Sequence, residues 1–248
     1  MCPVLWEQRG AFMKPRALIA EFIGTFALLF AGVGSAVMLL AIPNVDDTSK
    51  HLMIALAHGL AIAVCGSALG HISGGHFNPA VSFGMMLAKK IDLKTMLAYW
   101  LVQFVGAIVA VVCIKFATTG PGVSDLFDTA IGGIPGIRMV STTSAMMLEA
   151  IGTFFLMLVV FGTAVDRRGP KTGAWFIGMT ITTMIFTFGT VTGGSINPAR
   201  WFGPAVVQML FIDWMTYIIG PLVGAALAAL LYKFVLAPEE MADEPLAA

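Results

Sequence analysis

The heptapeptide Gly-Gly-His-Phe-Asn-Pro-Ala at 74–80 recurs as Gly-Gly-Ser-Ile-Asn-Pro-Ala at 193–199, and each copy opens an apolar run too short to cross a bilayer. Those runs cover about 78–88 and 197–210, whereas a spanning helix needs about 20 apolar residues. Proline suits the first turn of a helix, where its missing N–H would have had no partner. Paired glycines let the chain turn sharply just before it. Each copy therefore reads as a half-helix entered from a re-entrant loop. Six longer apolar segments surround them, at about 17–40, 52–69, 93–114, 143–164, 175–191 and 214–235.

A second duplication fixes the symmetry. Glu21-Phe-Ile-Gly-Thr-Phe26 returns as Glu149-Ala-Ile-Gly-Thr-Phe154 at the head of the fourth segment. Three spans per copy force the copies into opposite orientations, an inverted three-plus-three repeat covering about 17–118 and 143–236. Short, Gly/Pro-interrupted segments at matching places in two halves point to a site at the bilayer midplane. The chain is 58% hydrophobic and 11% charged, too little charge to cover a soluble protein of 248 residues. Its net charge of zero argues against nucleic acid as a partner. The first segment is too long for a cleaved signal sequence and is read as a retained helix.

Basic residues set the expected orientation. Arg9, Lys14, Arg16, Lys89, Lys90, Lys94, Arg167, Arg168, Lys171 and Lys233 share one side, against Lys50, Lys115 and Arg138 on the other. Both termini are thus expected in the cytoplasm, with the acidic tail of Glu239, Glu240, Asp243 and Glu244 a solvated end. The membrane is expected to be that of the cell, plasma or inner.

Non-helical backbone at membrane depth is tolerated only inside protein or along a wet cavity. Two such loops entering from opposite faces imply a water-filled path. Each half-helix aims its positive end at the midplane, with Asn78 and Asn197 there. An asparagine can cap the helix through its oxygen and turn amide donors to the lumen. A water accepting from both must turn its own hydrogens outward, which breaks a proton wire, while the helix ends repel cations. Arg200, beside the second box, is costly in a membrane unless it lines water or has partners.

On these residues the chain resembles the aquaporin, or major intrinsic protein, family across nearly its whole length. His71-Ile-Ser-Gly-Gly-His-Phe-Asn-Pro-Ala-Val-Ser82 matches the first signature of that family, and Gly-Gly-Ser-Ile-Asn-Pro-Ala-Arg200 the second. The resemblance implies an all-α membrane protein: a right-handed bundle of six transmembrane helices around two re-entrant half-helices. It implies one channel domain over 1–248, a homotetramer with one pore per subunit, water and small neutral solutes as cargo, and no cofactor or metal. It places Asn78, Pro79, Ala80, Asn197, Pro198 and Ala199 at the pore centre. Glu21 and Glu149 become braces of the re-entrant loops, and His76 a shaper of the pore mouth.

Counting from the boxes carries over the selectivity filter as His58, Ile185, Gly194 and Arg200. Strict water channels of the family place Phe, His and a small residue with the arginine, and glycerol channels Trp, Gly and Phe. This set matches neither and looks most like the tonoplast intrinsic proteins of plants, in the branch conducting ammonia as well as water. An imidazole for Phe, an apolar Ile185 and a bare Gly194 suggest a wider, amphipathic constriction suited to ammonia or hydrogen peroxide. Trp201 stands where water channels carry Ser and glycerol channels Asp. Ala205 and Tyr217 agree with water channels, while Ile218 replaces a usual Trp. The loop 118–141 has no histidine, unlike the ammonia-conducting relatives.

Other features read as structural. Gly220, Gly224 and Ala228, and likewise Gly106 and Ala110, form rows that admit a close helix neighbour. Cys2, Cys65 and Cys113 lack metal-ligand spacing and read as small buried thiols, and the methionines as flexible packing. His71 is assigned to the first re-entrant loop with His76, and His51 to an exposed loop. The loop Asp166–Lys171 shows no regulatory site, so a constitutively open pore is expected. No catalytic triad, metal set or phosphate loop supports an enzyme. A secondary transporter would need more intramembrane charge than Glu21, Glu149 and Arg200, and an adhesion protein on the same scaffold would conduct no water. A glycerol or mixed-solute facilitator is the alternative within the channel class.

Overall fold

The structure, a computed structural model, describes residues 14–120 and 125–237. Cys2, Arg9 and the acidic tail Glu239, Glu240, Asp243 and Glu244 lie outside the described residues. Among those described, six helices are long and apolar enough to cross a membrane. They are α1 (Pro15–Ala41), α2 (Asp47–Ser73), α4 (Leu93–Thr118), α6 (Thr142–Val160), α7 (Gly173–Thr192) and α9 (Trp214–Leu231). Between them lie the short helices α3 (Pro79–Leu87), α5 (Leu126–Thr129) and α8 (Pro198–Gln208). π-Helical turns at Phe161–Val165 and Tyr232–Leu236 prolong α6 and α9. The protein is a multi-pass integral membrane protein.

Several helices run past their apolar segments because polar caps set their ends. Asp46 caps α2, its side chain accepting the Ser49 N–H, and Asp92 caps α4 by accepting from Thr95. At the other end α2 stops at Gly74 (φ 94°), and α7 stops at the matching Gly193 (φ 84°). These lengths overturn two sequence-based expectations. His51 belongs to the second turn of α2, with its ring 6.2 Å from that of Phe186, and is not a loop residue. His71 is exposed in the last turn of α2, three residues before Gly74, and is not part of the re-entrant loop.

The most extensive packing is α6 on α9, α2 on α7, and α1 on both α2 and α4. Missing side chains allow these approaches. A Cβ at Gly106 of α4 would stand 2.7 Å from the Phe22 carbonyl oxygen of α1, and one at Gly220 of α9 2.8 Å from that of Met146 in α6. Gly59 of α2 backs onto Gly178 of α7, whose carbonyl oxygen would be 2.5 Å from an added Cβ. Outward faces are apolar, with Val64, Leu101 and Phe116 exposed, as lipid contact requires. Cys113 is also exposed and Cys65 partly so, which corrects the reading of buried thiols. A transmembrane helix is apolar on its lipid side as well as its core side, so an apolar run does not say which way a thiol points.

Candidate functional site

Both half-helices are assembled by one set of interactions used twice. After the αL turn at Gly74, Gly75 (φ 64°) and Phe77 (φ 48°) also take positive φ, and Gly194 (φ 57°) and Ile196 (φ 41°) repeat this after Gly193. Such a conformation is costly for a phenylalanine and more so for a β-branched isoleucine. A buried carboxylate holds each in place. Glu21 accepts the N–H groups of His76 (2.9 Å) and Phe77 (2.7 Å), and Glu149 those of Ser195 (2.9 Å) and Ile196 (2.6 Å). Each also accepts a hydroxyl, from Ser73 or Thr192, at 2.7 Å. Those two hydroxyl oxygens in turn accept the N–H of Gly75 and Gly194, both at 3.1 Å.

The outer layer of this brace was not expected from sequence. Tyr99 donates its hydroxyl to the Ser73 carbonyl at 2.7 Å, and Tyr217 repeats the contact on Thr192 at 2.8 Å. Gln103, four residues beyond Tyr99, donates to Glu21 (2.8 Å) and to Ser82 (3.0 Å). The position four beyond Tyr217 is Pro221, so the second carboxylate lacks that donor. Trp100 donates to the Pro79 carbonyl at 2.8 Å, and its counterpart Ile218 has no donor to offer. Trp201 stacks on Tyr217 (centroids 6.3 Å apart, 18° between planes) and donates to the Ile212 carbonyl. Tyr99 follows Asn78 by 21 residues and Tyr217 follows Asn197 by 20, a near match that was the available signal for this pair.

The two half-helix N-termini meet at the boxes. Asn78 and Asn197 each cap their helix, accepting the N–H of Ala80 and Ala199 at 2.9 Å. Their amide nitrogens cross between repeats, Asn78 to the Ile196 carbonyl (2.9 Å) and Asn197 to the Phe77 carbonyl (3.0 Å). A primary amide has two donors, so one remains on each residue for the cavity that both line.

That cavity follows helical stripes. Ile177, Ile181 and Ile185 line it at four-residue spacing along α7, a rise of about 12 Å. Leu156, Val160 and Ala164 do the same from α6 and its π turn, and His58 and Ile62 from α2. The re-entrant loops line it through Gly74–His76 and Gly194–Ile196 and add the two asparagines and His76 as polar groups.

The four filter candidates reach the same cavity. Arg200 is buried and donates through Nη1 to the Gly133 carbonyl at 3.0 Å. Gly133 belongs to the long connection between α4 and α6, so this loop positions the guanidinium through its backbone. Gly194 is dictated by its positive φ, and an added Cβ would stand 3.0 Å from the Ile185 Cα. His58 is buried, with Nδ1 2.8 Å from the Ile54 carbonyl. A carbonyl can only accept, so Nδ1 is the donor in this bond. His76 is held at Nδ1 by Ser82 (3.0 Å) and meets the Tyr99 ring edge-on at 5.2 Å. Among the described residues no group of histidine, cysteine and acidic residues could hold a metal ion.

The major intrinsic protein profile matches residues 9–232. The chain belongs to the major intrinsic protein family. Within it, the chain is 41% identical over 239 residues to aquaporin AqpM of Methanothermobacter marburgensis, covering 87% of this chain and 95% of that protein. It is 37% identical over 236 residues to the probable aquaporin TIP2-1 of Oryza sativa subsp. japonica, covering 92% of each. Among solved structures, the aquaglyceroporin from Plasmodium falciparum superposes with a TM-score of 0.79 at 26% identity, covering 90% of this chain and 97% of that one.

Proposed function

We propose that the protein is a passive water channel that excludes protons and ions and also admits small neutral solutes such as ammonia or hydrogen peroxide. The observation behind this reading is the cavity shared by Asn78, Asn197 and Arg200, apolar along α6 and α7 and polar along the re-entrant loops. Water moving along it slides past apolar side chains and meets oriented donors at one point. There, two helix N-termini with roughly half a positive charge each face it together with the asparagine amides. This disfavours cations and forces a bound water to point its hydrogens away. The relatives named aquaporins support the same reading.

In this proposal His58, Ile185, Gly194 and Arg200 select the solute, Pro79, Ala80, Pro198 and Ala199 shape the centre, and Glu21, Glu149 and His76 support the loops. The protein transports rather than catalyses, assembles as a homotetramer in the cell membrane, and keeps both termini in the cytoplasm. With no regulatory site in the loop Asp166–Lys171, the pore is taken to be constitutively open. Stopped-flow osmotic shrinkage of reconstituted vesicles, with glycerol and methylamine uptake on the same preparation, tests the function. Water flux no faster than in protein-free vesicles sinks the channel reading. Glycerol uptake that rivals water flux favours a glycerol facilitator instead. Native mass spectrometry tests the tetramer.

A further inference from the structure

We propose that Gly32 of α1 is a specificity-determining residue: its missing side chain is the seat that lets the His58 imidazole stand back against α1 at the wall of the lumen. The inference rests on the channel reading above and names a residue behind the filter that sets its width. Leu28 and Gly32 lie one turn apart on the same face of α1, and Leu28 lines the cavity. At the level of Gly32 the imidazole of His58 covers that face. A Cβ built on Gly32 would stand 2.5 Å from Nε2, 2.6 Å from Cγ and closer still to Cδ2. Three ring atoms at nearly equal distance mean that the ring lies flat over the glycine.

The ring has one direction in which to yield. Nδ1 is tied to the Ile54 carbonyl, which fixes the ring near its own helix. The α2 backbone cannot retreat from α1, because Gly59 is already against the Gly178 carbonyl of α7. The remaining open side is the cavity that His58 shares with Ile185, Gly194 and Arg200. Restoring ordinary contact with a methyl group requires a shift of about 1 Å. A shift of that size toward Arg200 narrows the constriction for any solute wider than water. A width-setting role for Gly32 thus follows from its contact with the ring, without Gly32 touching the solute.

The test compares the parent, Gly32→Ala, His58→Ala and the double variant in vesicles, reading water flux and methylamine or glycerol uptake per reconstituted protein. In Gly32→Ala the ratio of solute to water permeability is expected to fall by about tenfold, equivalent to about 1.4 kcal/mol in the barrier. In the His58→Ala background the same substitution is expected to leave the ratio unchanged. A ratio unaltered by Gly32→Ala, or an equal fall with His58 absent, overturns the proposal. Gly34→Ala is the folding control, since its Cβ would meet only Ile114 at 3.7 Å. Should Gly32→Ala fail to fold while the double variant folds, the clash with the ring is supported; should both fail beside a folded control, the proposal is overturned. A parent without water flux sinks the channel reading alone. A density map of Gly32→Ala then decides the inference, a displaced ring supporting it and an unmoved ring overturning it.

Discussion

Asn78 donates to the carbonyl of Ile196 at 2.9 Å, so the capping residue of one half-helix is fastened to the loop that launches the other. Asn197 returns the bond to Phe77 at 3.0 Å. Each asparagine therefore does three things with one amide: it caps, it joins the repeats, and it keeps a donor for the lumen. Substitution with alanine removes a cap worth about 1 kcal/mol and a hydrogen bond worth about 1 kcal/mol. Asn78→Ala and Asn197→Ala are each expected to cost about 2 kcal/mol in detergent thermal unfolding. The double variant should cost less than the sum, because both bonds hold the same junction. Asn78→Asp keeps the capping oxygen, loses the cross-repeat donor and puts negative charge in the lumen. A cation leak, read with a sodium-sensitive dye in vesicles, is its expected signature.

The carboxylates of Glu21 and Glu149 face only donors. Glu21 accepts from Ser73, His76, Phe77 and Gln103, and Glu149 from Thr192, Ser195 and Ile196. A glutamine fills the same space but turns an NH2 toward groups that are themselves N–H or O–H. Either flip of its amide leaves a buried backbone donor unsatisfied, a loss of about 2–3 kcal/mol for bonds to a charged acceptor. Glu21→Gln and Glu149→Gln should each lower thermal stability by that amount and reduce water flux per folded channel. Unchanged flux and stability would show that the positive-φ turns at Phe77 and Ile196 hold without the carboxylate.

The sequence was legible where a side chain type is itself the signal. Asn-Pro after Gly-Gly marks both half-helices, whereas the bracing role of Glu21 and Glu149 came from the family resemblance and not from the residues themselves. The sequence was silent where the acting group is backbone. Gly133 reaches Arg200 through a carbonyl, which every residue possesses, so its loop revealed itself only by lacking histidine. Segment ends were also hidden, because hydropathy reports where lipid begins whereas Asp46 and Gly74 decide where α2 starts and stops. That difference put His51 and His71 into a helix. Tyr217 agreed with the family pattern, yet its hydroxyl binds the Thr192 carbonyl and its ring stacks on Trp201, so its place is behind the loop.

Asp92 offers a pH-dependent test outside the membrane spans. Its Oδ1 accepts the Thr95 N–H at 2.7 Å, and that bond holds the carboxyl below its ordinary value. A folded value below the unfolded one means that the cap's contribution is complete above about pH 4. It is lost as pH falls through the depressed folded value. Asp92→Ala is expected to cost about 1 kcal/mol near neutral pH, and Asp92→Asn only a few tenths, since asparagine caps about as well. Detergent thermal unfolding between about pH 3 and 7 should show the parent approaching the alanine variant at the acid end, with the asparagine variant keeping its margin.

Glycine at helix crossings gives a prediction whose sign depends on the neighbour. In an open helix position, Gly→Ala gains about 0.8–1.0 kcal/mol of helix propensity. Gly34 meets that condition, with only the Ile114 side chain at 3.7 Å from an added Cβ, and Gly34→Ala should raise thermal stability. Gly220 does not, because its Cβ would be 2.8 Å from the Met146 carbonyl oxygen and 3.1 Å from the Glu149 Cβ. Helix backbone cannot rotate away as a side chain can, so α6 and α9 must separate, at about 1–3 kcal/mol for overpacking. The propensity gain is too small to offset the upper part of that range, and Gly220→Ala should be net destabilising. The separation also moves Glu149, whose carboxylate holds Ser195 and Ile196. Water flux per folded channel should therefore fall in Gly220→Ala and stay at the parent level in Gly34→Ala. Equal flux in both would mean that the α6–α9 crossing and the second re-entrant loop are mechanically independent.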